Sequence, residues 1–107
     1  MDINFSRHGS FLTVKLKGEI DHHSCEYIRE RIDREFIQRR LKDIEMDLKN
    51  VDFMDSSAIG LIIGRFKLAK SLGGTMRVVG VNDACAKVIR LSGLEGVIEI
   101  DYTGGEK

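Results

Sequence analysis

The sequence predicts a single α/β domain over residues 1–107, with a mixed, mostly parallel sheet of four to five strands and helices packed on it. Three observations indicate this fold. Strand-like and helix-like hydrophobic periods alternate along the chain, short links separate them, and 107 residues are enough for only one core. Short links between alternating strands and helices are typical of right-handed crossovers within a parallel sheet.

The first two strands are predicted to form a hairpin. Residues 3–7 form a short strand, His8-Gly9-Ser10 is a turn, and FLTVKLKG then alternates between apolar and polar residues. Alternate residues of a strand share one face. The buried face of the second strand therefore consists of Leu12, Val14 and Leu16, and its solvent face of Thr13, Lys15 and Lys17.

A long helix is predicted from Asp21, a favourable N-cap residue, to about residue 40. Its apolar residues recur every three or four positions, at Cys25, Ile28, Ile32 and Phe36. The opposite face is predicted to be solvated, because it carries paired opposite charges at Glu26, Arg29, Glu30, Asp33 and Arg34.

The other elements follow from the same signals. They are a strand over residues 44–48 that residues 51–54 either continue or leave, a helix over 58–72 ended by Gly73-Gly74, a strand over 76–80, a helix from its cap Asn82 to Gly93, and a strand over 97–100. Residues 101–107 are predicted to be a loose tail.

The helix over residues 58–72 has two apolar stripes, although packing on a sheet requires only one. The first stripe is Ile59, Ile62, Ile63 and Phe66, and the second is Leu61, Leu68 and Leu72. The second stripe either lies under a neighbouring helix or forms a partner surface. Gly60 and Gly64 lie between the stripes, where each costs about 1 kcal/mol relative to Ala. They indicate that another backbone comes close, from within the domain or from a partner.

Composition excludes several classes of protein. Lys plus Arg equals Asp plus Glu at 17 each, which argues against nucleic acid as a partner. The longest apolar run, residues 58–63, is too short to cross a bilayer, and the N-terminus has no signal pattern. We therefore expect a cytoplasmic protein that neither enters nor binds a membrane. Cys25 and Cys85 are predicted to be buried free thiols, and the sequence predicts neither a metal site nor a cofactor.

The triplet Asp55-Ser56-Ser57 comes directly before the helix over residues 58–72. A Ser or Asp there can cap the helix, which accounts for one of the three polar residues. The N-terminus of a helix also favours negative charge, so a phosphate on a serine would be stabilised at this position. The local chemistry leaves both interpretations open, a cap alone or a phosphoserine switch.

Three segments resemble the STAS domain family: GEIDHHS (residues 18–24), FMDSSAIGLIIGRFK (53–67) and GGTMRVVGVNDACAKVIRLSGL (73–94). The resemblance covers roughly residues 3–100, and the Asp-His-His and Phe-Met-Asp-Ser-Ser elements are similar to those of the sporulation anti-sigma-factor antagonists. Two departures exist. Ala58 stands where the family usually has glycine, and the helix that usually ends the family is not found among these residues.

The resemblance implies a regulator without catalytic activity. Such a protein binds an anti-sigma factor that is also a serine kinase, and this binding frees the sigma factor. The kinase then phosphorylates the antagonist, binding is lost, and a serine phosphatase restores it. The implied acceptor is Ser56, with Ser57 as second choice and helix cap. The implied partner surface comprises Glu19, Asp21, Asp55, Ser56, Ser57, Gly60, Leu61 and Gly64.

Two alternatives remain. The chain could be a STAS regulator in another phospho-switch, such as a general stress antagonist or a scaffold, with the same serine and a different kinase. It could also be a serine hydrolase that uses Ser56, His22 and Asp21. No Gly-x-Ser-x-Gly elbow is present for such an enzyme, and an Asp adjacent to the His is an unusual spacing. His22 and His23 as a metal pair have no third ligand.

Overall fold

The computed structural model describes residues 1–103, which form five strands, three α-helices and a short 3₁₀ helix at Leu94–Gly96. The strands are β1 (Asp2–His8), β2 (Phe11–Ile20), β3 (Asp43–Met54), β4 (Met76–Val81) and β5 (Glu99–Tyr102). The helices are α1 (Cys25–Gln38), α2 (Ser57–Ser71) and α3 (Asp83–Ser92).

The strands form one sheet in the order β1-β2-β3-β4-β5. The β1–β2 pair is antiparallel and the other three pairs are parallel, which confirms the predicted hairpin and the mostly parallel sheet. Because each crossover advances by one strand in the same direction, right-handed connections place all three helices on one face of the sheet. The carboxyl ends of β2, β3 and β4 consequently lie along one edge of the sheet.

The core lies between this helical layer and the sheet. The predicted buried face of β2 is confirmed, and Ile28, Ile32 and Phe36 of α1 are fully buried against it. Cys85 is buried as predicted, whereas Cys25, at the start of α1, is only half-buried. Both thiols are free. Burial raises the pKa of the Cys85 thiol to about 11, so this thiol is inert at neutral pH.

The first stripe predicted for α2 contacts the core, with Ile62 buried and Ile59, Ile63 and Phe66 partly buried, but the most buried face of the helix is a different one. The buried residues of α2 are Ala58, Leu61, Ile62, Arg65 and Ala69, so one member of each predicted stripe shares a single buried face. Ile59 and Phe66 are only half-buried, and Leu72 is 44% exposed. The prediction located this face only in part, because a helix that is apolar on most sides has no periodic signal to indicate which side meets the sheet.

The sheet face away from the helices is polar and internally bonded. Thr13, Glu45 and Arg77 are register neighbours on β2, β3 and β4. Glu45 accepts hydrogen bonds from the Thr13 hydroxyl at 2.9 Å and from Arg77 Nε at 2.8 Å. Arg77 also lies 4.0 Å from the ring centroid of Phe11. Thr13 is therefore buried, although the alternating pattern predicted that it faces solvent.

The last elements differ from the prediction by a few residues. The Asn82 cap is confirmed, since its side chain accepts a hydrogen bond from Cys85 N, and α3 ends at Gly93 with a left-handed φ of 78°. The 3₁₀ helix then shifts β5 to Glu99–Tyr102. The prediction of a loose tail is therefore wrong for Asp101 and Tyr102, and residues 104–107 lie outside the described residues.

Within residues 1–103, no helix combines the length and the apolar character that a bilayer crossing demands. The cytoplasmic location expected from the sequence stays a prediction.

The backbone after α2 passes very close to the backbone just before β3. A Cβ at Gly74, just before β4, would lie 1.8 Å from the carbonyl oxygen of Lys42, so the backbone must move to accept any other residue. We expect Gly74→Ala to lower the free energy of unfolding by about 1–3 kcal/mol, as overpacking typically does. Chemical denaturation monitored by circular dichroism measures this change. Gly96→Ala is the control, because a Cβ at Gly96 meets nothing within 4 Å. Equal stabilities of the two variants would contradict this view of the approach.

Candidate functional site

Two loops meet at the carboxyl edge of the sheet, and together they hold the residues that the sequence analysis selected. The parallel pairing of β2 with β3 ends at the register pairs Glu19–Phe53 and Ile20–Met54. The backbone N–H of Asp55 then donates to the Ile20 carbonyl at 3.2 Å. The β2–α1 loop (residues 21–24) and the β3–α2 loop (residues 55–56) therefore leave the sheet side by side.

The carboxylate of Asp55 joins these two loops. Its Oδ1 accepts the backbone N–H of Ser57 at 2.8 Å, and its Oδ2 accepts the backbone N–H of His22 at 3.3 Å. The first bond satisfies one of the free N–H groups at the start of α2, and the negative charge lies at the favourable end of the helix dipole. Asp55 is thus both the helix cap and the link to the neighbouring loop.

The prediction that Ser57 caps α2 is wrong. Ser57 is the first residue of the helix, and Ser56, in the N-cap position, makes no capping hydrogen bond through its side chain. The carboxylate of Asp55 takes the N–H group that a serine cap would otherwise use. Within the described residues, neither serine hydroxyl has a hydrogen-bond partner in the protein, and so neither serine is accounted for by capping.

The two serines face different sides of α2, as neighbours on a helix do at about 100° per residue. Ser56 is exposed and lines a shallow apolar groove between α2 and α3, together with Ile59, Val88 and Leu91. Ser57 is half-buried and lines the groove between α1 and α2. Of the two hydroxyls, that of Ser56 is the more accessible to a modifying enzyme.

Glu19, near the end of β2, and Asp21, in the following loop, differ in their contacts. The carboxylate of Asp21 accepts the backbone N–H groups of His23 and Ser24, each at 3.0 Å. These are the bonds expected of an N-cap, although the assigned α1 begins later than predicted, at Cys25. The bond from Ser24 is the main reason that the pKa of Asp21 lies below its usual value. Glu19 is exposed, and its carbonyl accepts the Ser24 hydroxyl at 2.9 Å.

The α1–α2 groove, of about 520 Å³, continues from Ser57 along α2 past Gly60, Leu61 and Gly64. A Cβ at either glycine would meet nothing within 4 Å. The predicted approach of another backbone at these glycines therefore does not occur within residues 1–103. Gly60, Leu61 and Gly64 share this groove, whereas Glu19 and Asp21 line a separate opening.

The sequence analysis missed the ion pair between α1 and α2. Arg65 is only 7% exposed, and its Nε lies 2.9 Å from Asp33 Oδ1. Burial lowers the pKa of Arg65 and raises that of Asp33, and in each case the partner's charge partly opposes the shift. Asp33 was predicted to lie on a solvated face. The available signal was an arginine on an otherwise apolar face of α2, which requires a buried partner.

The triad of Ser56, His22 and Asp21 does not form in the described part of the chain. Asp21 bonds to backbone groups of its own loop rather than to His22, and the Ser56 hydroxyl makes no hydrogen bond to either histidine. The rings of His22 and His23 meet edge to face, with centroids 5.8 Å apart on exposed side chains. In the part of the chain that the structure describes, no three His, Cys, Asp or Glu side chains cluster closely enough to hold a metal ion.

Comparison with known proteins gives the family of this chain. The STAS domain family matches residues 2–106, and the chain belongs to this family. An anti-sigma F factor antagonist of Paenibacillus polymyxa is 38% identical over 94% of this chain and 86% of its own length. An anti-sigma-B factor antagonist of Bacillus subtilis (strain 168) is 26% identical over 94% of this chain and 90% of its own.

The anti-sigma factor antagonist SpoIIAA has been solved in two states, and the chain is 28% identical to each structure. The unphosphorylated form superposes with a TM-score of 0.80, over 98% of this chain and 91% of SpoIIAA. The phosphorylated form, described as a Bacillus cell fate determinant, superposes with a TM-score of 0.71 over 98% and 95%.

The double role of Asp55 makes a direct prediction. We expect Asp55→Ala to lower the free energy of unfolding by about 0.5–2 kcal/mol, because α2 loses its cap. Asp55→Asn should retain most of the stability, since Asn caps almost as well as Asp. Chemical denaturation measures both changes, and amide hydrogen exchange at Ser57 and His22 should accelerate in the alanine variant.

Asp52→Ala is the matched control for this experiment. Asp52 is an exposed acid in the same strand–loop region, and its side chain makes no hydrogen bond to the described residues. Its replacement should change the stability by less than about 0.5 kcal/mol. If Asp55→Ala proved no more destabilising than Asp52→Ala, the bridging role of Asp55 would be refuted.

Proposed function

We propose that this protein is an anti-sigma-factor antagonist that binds its anti-sigma factor when Ser56 is unmodified and releases it when Ser56 is phosphorylated. One observation carries the choice of residue. Ser56 is an exposed, unpartnered hydroxyl at the start of α2, where Asp55 already provides the cap. The hydroxyl is therefore available for chemistry without loss of structure. The names of the relatives and the two states of SpoIIAA support the proposed class and the proposed switch.

The chemistry of the site explains how a phosphate would act. A phosphoserine adds about −1.5 to −2 charges and three acceptor oxygens to the surface. At Ser56 it would lie beside the carboxylate of Asp55 and close to Glu19, near the end of β2, and Asp21, in the loop that follows. The helix N-terminus tolerates this charge, so the fold survives. A partner surface matched to the unmodified site would meet new like charges or an unpaired dianion, and binding would be lost.

The partner surface follows from the same arrangement. We place Glu19, Asp21, Asp55, Ser56 and Ser57 around the switch, and Gly60, Leu61 and Gly64 along α2. Glu19 contributes directly through its exposed carboxylate, whereas Asp21 contributes mainly by ordering the loop. Because the switch surface is acidic, we expect the facing surface of the anti-sigma factor to be basic.

The proposed partners are an anti-sigma factor that has serine kinase activity and a serine phosphatase that reverses the modification. The protein itself supplies only the acceptor hydroxyl and no catalytic group. The 38% identical relative acts on an anti-sigma F factor by its name, whereas the 26% identical relative acts on an anti-sigma-B factor. This difference favours the sporulation-type switch over the general stress switch as the role of this chain.

The experiment uses the purified chain and the anti-sigma F factor of Paenibacillus polymyxa. Incubation with ATP should attach one phosphate, and mass spectrometry of proteolytic peptides should locate it on Ser56. Isothermal titration calorimetry without ATP should show binding of the wild type and of Ser56→Ala. Binding of Ser56→Asp should be weaker by tenfold or more, which corresponds to about 1.4 kcal/mol.

Ser71→Ala is the matched control, because this exposed serine lies at the other end of α2, outside the proposed partner surface. It should still be phosphorylated, at Ser56, and so should Ser57→Ala. Phosphate on Ser57, or wild-type affinity of Ser56→Asp, would refute the proposed switch. Tighter binding to the anti-sigma-B factor of Bacillus subtilis than to the anti-sigma F factor would favour the stress-type alternative.

A further inference from the structure

Nothing in the described domain requires glycine at positions 60 and 64. Both lie inside α2 without a positive φ, so the backbone conformation does not require glycine. A Cβ at either position would meet nothing within 4 Å. By contrast, a Cβ at Gly74 would clash with the Lys42 carbonyl. Since glycine destabilises a helix interior relative to alanine, the fold alone would favour alanine at both positions.

The two glycines form a strip without side chains at the surface. They are four residues apart, so they lie about 6 Å apart along the axis of α2 and on nearly the same side. The strip lies in the α1–α2 groove, where Leu61 provides an apolar contact and Cys25 and Arg29 of α1 form the opposite wall. A surface of this kind lets another main chain approach the helix more closely than any other residue would allow.

A second, independent feature of the groove indicates the chemistry of what binds there. Arg65 also lines the groove and is only 7% exposed, yet its Nη1 has no hydrogen-bond partner among the described residues. Its Nε lies beside Asp33 at 2.9 Å. Arg29 adds a second guanidinium, paired only loosely with Glu26 at 3.9 Å. A buried donor without a partner indicates an acceptor that arrives with a ligand, such as a carbonyl or carboxylate oxygen.

We propose that the α1–α2 groove receives a main-chain segment of the anti-sigma factor, which packs on Gly60 and Gly64 and presents oxygen atoms to Arg29 and Arg65. The inference rests on the proposed function and extends its docking surface. The groove begins at Ser57, at the same end of α2 as the switch residue, so a partner that binds this end of the helix would reach both. This continuity identifies the anti-sigma factor, rather than a second copy of the chain, as the occupant.

If a main chain of the partner packs on Gly60 and Gly64, alanine at these positions should raise the stability of the domain and lower its affinity for the partner. Gly60→Ala, Gly64→Ala and the double variant should each raise the denaturation midpoint, because alanine favours the helix and meets no neighbour. The same variants should bind the anti-sigma F factor of Paenibacillus polymyxa more weakly, by tenfold or more for the double variant in calorimetry without ATP. Arg29→Ala should weaken binding as well. Replacement of a residue that does not contact the partner would not be expected both to stabilise the domain and to weaken the complex.

Lys67→Ala is the matched control. Lys67 is exposed on the same helix and is not part of the groove, so its replacement should leave the affinity unchanged. Wild-type affinity of the double glycine variant would overturn the proposal, and a lowered midpoint would overturn it too, since it would reveal a contact within the domain. If Ser56→Asp abolished binding while the glycine variants bound normally, the proposed function would stand, and the proposal that the partner docks in the groove would be wrong. If the wild type did not bind this anti-sigma factor, both would fail.

Discussion

The candidate site depends on one carboxylate, that of Asp55, which accepts a backbone N–H from each of two loops. Its bond to Ser57 begins α2, and its bond to His22 holds the β2–α1 loop beside that helix. Parallel pairing of β2 with β3 brings the loops to the same edge, but the pairing ends before either loop begins. Without the carboxylate, Glu19, Asp21 and Ser56 would still be neighbours in the fold, but only the backbone bond from Asp55 N–H to the Ile20 carbonyl would hold the two loops together.

This arrangement would separate the structural task of the site from its proposed regulatory one. Because Asp55 caps the helix, the hydroxyl of Ser56 makes no hydrogen bond that the described fold requires. A modification of this hydroxyl would leave the hydrogen bonds of the fold in place. The phosphate would nevertheless enter a region that is already acidic. The helix dipole and the nearby carboxylates act in opposite directions on such a charge. A switch of this type changes what a partner meets at the surface and requires no rearrangement of the domain.

Particular residues show how far the pattern of the sequence leads. The alternation of Leu12, Val14 and Leu16 predicts the buried face of β2 because a strand exposes every second residue to one side, whatever its neighbours are. Cys85, Asn82 and Gly93 were placed correctly for an equally local reason, the stripe and the end signals of α3. On α2 the pattern gave the buried face only in part, because a helix that is apolar on most sides buries whichever side fits between the sheet and α1.

Ser57 and Asp33 illustrate what a linear pattern does not contain. Either serine or the aspartate could cap α2, and the choice went to Asp55 because its longer, charged side chain also reaches an N–H group from a loop 33 residues away in the chain. Asp33 belongs to a charged surface pattern, yet it pairs with Arg65 because α1 and α2 pack side by side.

The amino-acid pattern alone was sufficient for the class of fold and the order of its elements, because periods and caps are local properties of the chain, whereas the residues of the proposed switch came from the resemblance to the STAS family. Only the folded molecule decides which residue caps α2, towards which grooves the two serines point, and that Gly60 and Gly64 face open space. Each of these depends on distances between segments that are far apart in the sequence. Such distances are set by packing, which no local pattern records.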